Sequence, residues 1–405
     1  MIAAASSAYI HIPFCRRRCY YCDFPISVIG DGGGKVNRTQ AMEQYGAVLC
    51  REICLTAQWF PSSGLSTVFF GGGTPSLLPV SELEKILVTL DQVYGIDPNA
   101  EISIEIDPNT FDLEQLQAYQ DLGINRYSLG VQAFQNHLLA EIGRTHRVED
   151  IECAIAQLEK AGIENFSLDL ISGLPQQTLS QWEATLERAI AFSPPHLSCY
   201  DLIIESGTVF NRELAAGTLS LPPDETAAEM YRLTQKTLTA AGYTHYEISN
   251  YASPGYQCRH NRVYWENKPY YGFGMGATSF LNGHRLTRPR TRHDYTNWVE
   301  MLTNPNHELK QKIDNDPNDQ LLEILMLGLR LPEGLNLGVI AQQFGPETAR
   351  QIIQILQPYL EQNWVILGNI DHDPWGQLKL NDPEGLLFSN TILAHLFEEL
   401  PQTVR

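Results

Sequence analysis

Apolar residues along the first 240 positions fall into two alternating patterns. Short β-rich runs follow Tyr9 and recur at 66–70, 101–106, 126–131, 165–171 and 196–204. Between them, at 40–59, 79–94, 112–122, 148–161 and 179–192, apolar positions return with helical spacing, and a further helix at 223–241 completes a sixth unit. Strand and helix alternate about every thirty to forty residues, the signature of βαβ units on a parallel sheet. Six units fall short of the eight that close a barrel, so the pattern predicts an α/β fold, a partial (β/α)6 barrel open on one side. Chemistry then belongs at the carboxyl ends of the strands.

The pattern changes twice further on. From Gly242 the chain is rich in aromatics and glycine, most of all in CRHNRVYWENKPYYGFGMGATSF at 258–280. From about Asn304 it turns to amphipathic helices at 320–328, 337–344 and 347–362, a short hairpin at 364–367 and 377–380 around HDPWG, and a last helix at 385–399. The expected division is 1–242 for the barrel, 243–303 for an extension and 304–405 for a mainly helical, winged-helix-like domain. A winged helix suggests DNA, but a net charge of −19 argues against nucleic acid, which needs a large basic surface. A lid or a partner-docking role fits that domain better. The start, MIAAASSAYIHIP, has neither the basic n-region nor the long apolar core of a secretory signal or membrane span, which points to the cytoplasm.

The candidate chemistry begins at YIHIPFCRRRCYYCDF, where Cys15, Cys19 and Cys22 stand in C-x3-C-x2-C spacing after the first apolar run. Three thiolates this close can grip one metal centre. An iron–sulfur cubane takes four ligands, and Cys22 is followed by Asp23, Phe24 and Pro25, so one iron stays open to a small molecule. Spacing alone also allows a zinc clip completed by His11 or another side chain, or plain buried thiols; an intracellular chain keeps its thiols reduced, against a disulfide. Of the other five cysteines, Cys50, Cys54, Cys153 and Cys199 read as core. Gly71, Gly72 and Gly73 let a backbone approach a ligand, or simply make a strand-to-helix turn; no Gly-Lys-Ser/Thr follows, so this is no P-loop. Gly272, Gly274 and Ala277 mimic a dinucleotide fingerprint, but the preceding ENKPYY does not read as a buried strand.

Together YIHIPFC, FFGGGTPS, EISIEIDP, RYSLGVQAF, LDLISGLP and HNRVYW resemble the radical S-adenosylmethionine (SAM) superfamily, in the branch of oxygen-independent coproporphyrinogen III oxidase and its relatives, the haem chaperones. The resemblance covers nearly the whole chain. It implies a [4Fe-4S] cluster on Cys15, Cys19 and Cys22 that binds SAM for reductive cleavage. It also implies Tyr9 and Tyr21 beside the cluster, Gly72, Gly73 and Thr74 as a backbone cradle, and Glu105 toward the SAM ammonium. Gln132 and Arg144 supply polar and cationic contacts, Asp169 meets the ribose and Ile203 lies beside the adenine. Taken singly, Glu105, Gln132 and Asp169 could equally close polar networks, Arg144 could pair with Glu141 or Glu149, and Ile203 could be core.

In the haem-chaperone members the word H-N-x-x-Y-W, here His260, Asn261, Tyr264 and Trp265, is implicated in haem binding. An imidazole is a common axial ligand, and aromatic rings flank a flat macrocycle. Taken alone, His260 reads as a satisfied structural histidine, and Cys258 as an alternative ligand or a buried thiol. Arg285, Arg288, Arg290 and Arg292 offer charge to haem propionates, or form a solvated basic loop. The expected function is a haem chaperone whose partners are haem and recipient apo-proteins; homodimerisation is left open. The rival is the oxidase itself, which converts two propionates to vinyls. It carries a further cysteine where this chain has Phe24, and a longer segment before the cysteine loop. A zinc-stabilised binding protein is the nonenzymatic alternative.

Overall fold

A computed structural model describes residues 4–30, 35–60, 64–304, 317–370 and 373–400. The six expected units are present, with strands β1 (Ser7–Ile12), β2 (Leu65–Gly72), β3 (Ile96–Ile106), β4 (Arg126–Gln132), β5 (Phe166–Ser172) and β6 (His196–Asp201) side by side and parallel. Their helices are α1 (Lys35–Thr56), α2 (Val80–Tyr94), α3 (Leu113–Asp121), α4 (Val148–Lys160), α5 (Leu179–Ala191) and α6 (Asp224–Ala240). In α2 the buried positions Leu83, Ile86, Leu87, Leu90 and Tyr94 make one stripe against the sheet. Thr178 caps α5 by accepting from Gln181 N at 3.2 Å.

Strand alternation decides what faces inward. Ile104, Ile106, Leu129, Val131, Leu168, Leu170, Leu197 and Cys199 point outward and are buried under the helices. The residues between them are small or polar: Ser103 and Glu105, Ser128 and Gly130, Ser167 and Asp169, Ser198 and Tyr200. A closed barrel fills this interior with branched side chains. Here the short polar side chains leave room at the carboxyl ends of the strands.

The segment 243–303 does not stand apart. Strands β7 (Thr244–Glu247) and β8 (Asn250–Ala252) extend the sheet antiparallel beyond β6, while β9 (Tyr271–Phe273) joins the opposite edge parallel to β1. The sheet order is β9–β1–β2–β3–β4–β5–β6–β8–β7. A buried strand therefore does exist at Tyr271–Phe273, but Gly272 lies inside it and the next element is the strand Thr278–Leu281, so the strand–turn–helix context of a dinucleotide site is missing. Helix α7 (Arg259–Trp265) bridges the seam between the two edges. The Glu101 carboxylate on β3 accepts from the first amides of α7, Arg259 N at 3.2 Å and His260 N at 3.0 Å.

The C-terminal part has its own core, including Leu325, Leu337, Ile340, Ile352, Leu378 and Leu396. Its helices Pro317–Gly328, Leu337–Phe344 and Pro346–Glu361 precede a wing formed by Val365–Ile370 and Asp373–Leu380, to which Leu335–Asn336 adds a third strand. The expected last helix is two, Glu384–Leu387 and Ser389–Glu399. Asp371 and His372, where the HDPWG turn begins, lie outside the described residues, as does the start of this part at 305–316. Arg232 on α6 donates to Glu384 through Nε at 2.6 Å and Nη2 at 2.9 Å, tying it to the barrel.

Candidate cofactor site and a second cavity

A cavity of about 410 Å³ opens at the carboxyl ends of the strands. Cys15, Cys19, Cys22, Tyr21, Gly72, Gly73, Thr74, Glu105, Gln132, Arg144, Asp169 and Ile203 all line it. Of the expected residues only Tyr9 does not; it lies beneath, its hydroxyl 3.0 Å from His11 Nδ1 and its ring stacked on Phe69. His11, the candidate fourth zinc ligand, is 3% exposed and also meets Pro25 O through Nε2 at 3.0 Å, so its ring is engaged away from the thiols.

The cysteine loop is pinned by backbone. Phe14–Cys15 pairs with Ser27–Val28, Gly73 N donates to Ile12 O at 2.8 Å and Thr74 N to Phe14 O at 2.7 Å. A Cβ on Gly73 would sit 2.7 Å from Phe14 O and 2.8 Å from Ile12 O, and Gly72, at φ +110°, would place one 2.3 Å from the His11 ring. Gly73 is therefore required by the approach of two backbones, and Gly72 by its positive φ and the His11 ring against it. Arg18 clamps the far end of the loop, donating through Nη1 to Cys22 O at 3.1 Å and Phe24 O at 3.0 Å.

The thiols meet polar neighbours: Thr74 Oγ1 lies 3.7 Å from Cys15 Sγ, and Arg144 Nη1 3.8 Å from Cys19 Sγ. Burial pushes the Cys15 thiol up to about 12 and raises Cys22 as well, so these thiols ionise when a metal pays for the charge. Among the described residues no three His, Cys, Asp or Glu are arranged to hold one ion. A cubane asks for something different, one thiolate on each of three irons.

Opposite the thiols the cavity is acidic. Glu105 accepts from Gly72 N at 3.0 Å, and its carboxyl is pushed up to about 8 by burial, against that hydrogen bond, with Asp169 and Asp107 adding repulsion. Asp169 is raised by burial too, although Ser128 at 2.7 Å and Ser167 at 3.1 Å donate to it. Two acids held above their ordinary range, facing an open space, suit a ligand that brings a cation and hydroxyl donors. Arg144 pairs with Asp107 rather than with Glu141 or Glu149 and donates to Gly130 O at 2.9 Å; burial disfavours its charge, but Asp107 outweighs this and holds it. Asp107 is a site residue the sequence reading missed, though it lies two positions beyond Glu105, just past the end of β3. Tyr200 and Phe24 also line the cavity unforeseen. Ile203 is not core: it is 66% exposed, at the rim.

The haem word divides. His260 is fully buried; its Nδ1 lies 2.7 Å from Thr67 Oγ1, its Nε2 2.9 Å from Tyr264 OH, and its ring stacks on Phe69 at 5.2 Å. Burial lowers it to about 3, so it is a neutral plug in the barrel floor whose two nitrogens are both engaged. In this arrangement His260 is the satisfied structural histidine of the alternative reading, with both ring nitrogens taken up by protein partners. Cys258, raised to about 12 by burial beside Glu101, is a buried thiol. Asn261, Tyr264 and Trp265, in contrast, line a second cavity of about 420 Å³ at the seam, shared with Glu247, Tyr270, Arg285 and Arg330. Tyr200 borders both cavities.

The basic segment is not one loop of equivalent charges. Arg288 is fully buried, with Nε 2.7 Å from Glu52, so it belongs to the interior and not to a propionate site. Arg285 pairs with Glu323, Arg290 donates to Asp23 O at 2.6 Å and Arg292 lies over Phe14. Cys54 and Cys153, expected in the core, are exposed. No helix among the described residues is long and apolar enough to cross a membrane.

Comparison with known proteins agrees with these features. Residues 9–189 match the radical SAM superfamily and residues 315–369 the HemN C-terminal domain. The chain is 49% identical to the heme chaperone HemW of Synechocystis sp. over 98% of its own length and 97% of the relative's, and 35% identical to that of Bacillus subtilis over 97% and 100%. A solved structure of coproporphyrinogen III oxidase (HemN) from Escherichia coli superposes with a TM-score of 0.79 at 23% identity, covering 97% of this chain and 90% of that one, and so shares the fold. The chain belongs to the radical SAM superfamily, in the coproporphyrinogen III oxidase-like family and its heme chaperone HemW subgroup.

Proposed function

We propose that this protein is a cytoplasmic haem chaperone that binds a [4Fe-4S] cluster, SAM and haem, and passes haem to apo-proteins. The observation that supports it most is the coexistence of two cavities on one barrel: one ringed by three cysteines and two acids raised by burial, the other lined by Asn261, Tyr264 and Trp265. The near full-length likeness to proteins named heme chaperones points the same way.

Cys15, Cys19 and Cys22 would hold three irons of the cluster, and the radical SAM family implies SAM on the fourth. When bound, this pair supplies one-electron chemistry. The chain's own part is placement. Gly72 and Gly73 bring backbone close to the methionine end, and Glu105 takes an ammonium once its proton leaves. Asp169 receives ribose hydroxyls while Ser128 and Ser167 hold its orientation. Arg144, kept charged by Asp107, sits beside Cys19 and offsets thiolate charge. Ile203 and Phe24 shield the mouth from water.

The deciding experiment incubates the anaerobically reconstituted protein with haem and, separately, with coproporphyrinogen, reductant and SAM. Stable haem uptake and transfer to an apo-haemoprotein, with no vinyl product, is expected. Formation of the divinyl product would make the protein an oxidase instead. A zinc centre without acid-labile sulfide would remove the cluster from the reading.

A further inference from the structure

The seam cavity has polar groups that the protein itself leaves unanswered. Glu247 is 1% exposed and Asn250 3%; the Asn250 and Trp265 side chains and the Ser249 backbone lie close enough to the Glu247 carboxylate to favour its charge, while the Asn250 carbonyl oxygen closes no hydrogen bond. Facing them from the C-terminal part is Arg330, just past the helix Pro317–Gly328. Its guanidinium lies over the Trp265 ring at 5.6 Å and Nη2 donates to Asn390 Oδ1 at 3.0 Å, while Nε has no partner. Nearby arginines differ: Arg262 pairs with Glu266 and Glu333, and Arg285 with Glu323. Among the described residues no carboxylate lies within ion-pair distance of Arg330; burial pulls its charge down, and Glu247 in the same cavity offsets this only in part. A half-buried guanidinium with no carboxylate in contact, stacked on an aromatic ring, can take an anion.

Resting on the haem reading above, we propose that Arg330 anchors the acid edge of haem: one propionate enters the seam cavity and pairs with the Arg330 guanidinium, while the ring system lies against Tyr264 and Trp265. Glu247 fits this because burial lifts its carboxyl to about 7, so near neutrality it can donate a proton to a propionate oxygen instead of repelling it. The cavity, at about 420 Å³, stands at the lower end of ligand cavities and takes the acid edge rather than a whole tetrapyrrole. The haem site is then made jointly. The barrel segment gives the aromatic wall, and the C-terminal part gives the charge.

The test titrates the full-length, anaerobically reconstituted protein with haem and with haem dimethyl ester, followed by absorbance. The wild type should prefer haem over the ester by about ten- to hundredfold, the worth of one charge-assisted pair. Arg330→Gln should lose that preference, Arg330→Lys should keep part of it, and both should retain cluster content and SAM affinity. Equal binding of haem and ester by the wild type, a comparison that needs no variant, overturns the inference while leaving the haem reading standing. An Arg330→Gln protein that still discriminates overturns it as well. No uptake of either compound by the wild type overturns both.

Discussion

Glu105→Gln separates what the cofactor cavity does for ligand from what it costs the fold. The Glu105 carboxyl is raised from an ordinary 4.5 to about 8, chiefly by burial. A raised folded-state value means that the native protein binds more protons than the unfolded chain between those two limits. The favourable contribution is therefore complete below about 4.5 and is lost as pH climbs to about 8. At about 1.4 kcal/mol per unit, the penalty relative to an uncharged side chain is about 1.4 kcal/mol at pH 5.5 and about 4 kcal/mol at pH 8. These are ceilings, because the side chain opens onto a watered cavity. The amide of Gln keeps an acceptor for Gly72 N but never ionises. Urea denaturation of the cluster-free proteins should thus show Glu105→Gln more stable than wild type, by a margin that grows by up to about 3 kcal/mol from pH 5.5 to pH 8. Calorimetry at pH 7 in buffers of different ionisation enthalpy should show wild type releasing up to about one proton on binding SAM, and the variant releasing none while binding more weakly. A stability margin that does not change with pH, or a variant less stable at pH 8, would refute the reasoning.

Other perturbations report on other parts of the molecule. Gly73→Ala forces a methyl against two carbonyl oxygens of the cysteine loop, and iron and sulfide analysis after anaerobic reconstitution should find much less cluster than in wild type. Arg288→Met leaves Glu52 buried and unpaired, costing about 3–5 kcal/mol in denaturant titrations; haem affinity of the folded fraction should not move. His260→Ala removes the partner of Thr67 and Tyr264 and leaves a void, at about 2–4 kcal/mol. Its haem spectrum should nonetheless show the same axial ligation as wild type, since Thr67 and Tyr264 engage both imidazole nitrogens; an altered ligation would make His260 a ligand.

What could be read from sequence was set by local rules. Strands with an outward row of Ile, Leu and Val announce themselves, and because their ends carry the chemistry, twelve residues named from motifs line a single cavity. What escaped depends on distant partners. Tyr271–Phe273 is too short and glycine-bearing to signal a strand, and exists because β1 offers an open edge. Arg288 looks like any loop arginine until Glu52, Ser279 and the Phe273 ring surround it. Cys54 and Cys153 sit on helices whose rotation relative to the sheet puts them outside. Arg144 has acids at hand in sequence, but the strand geometry delivers Asp107.

Beneath the cofactor cavity Tyr9 stacks on Phe69 and Phe69 on the His260 ring. Phe24 and Ile203, both exposed, stand at the cavity's doorway. A bulky acceptor settled across that doorway therefore lengthens the stay of any small occupant behind it, without touching that occupant at all.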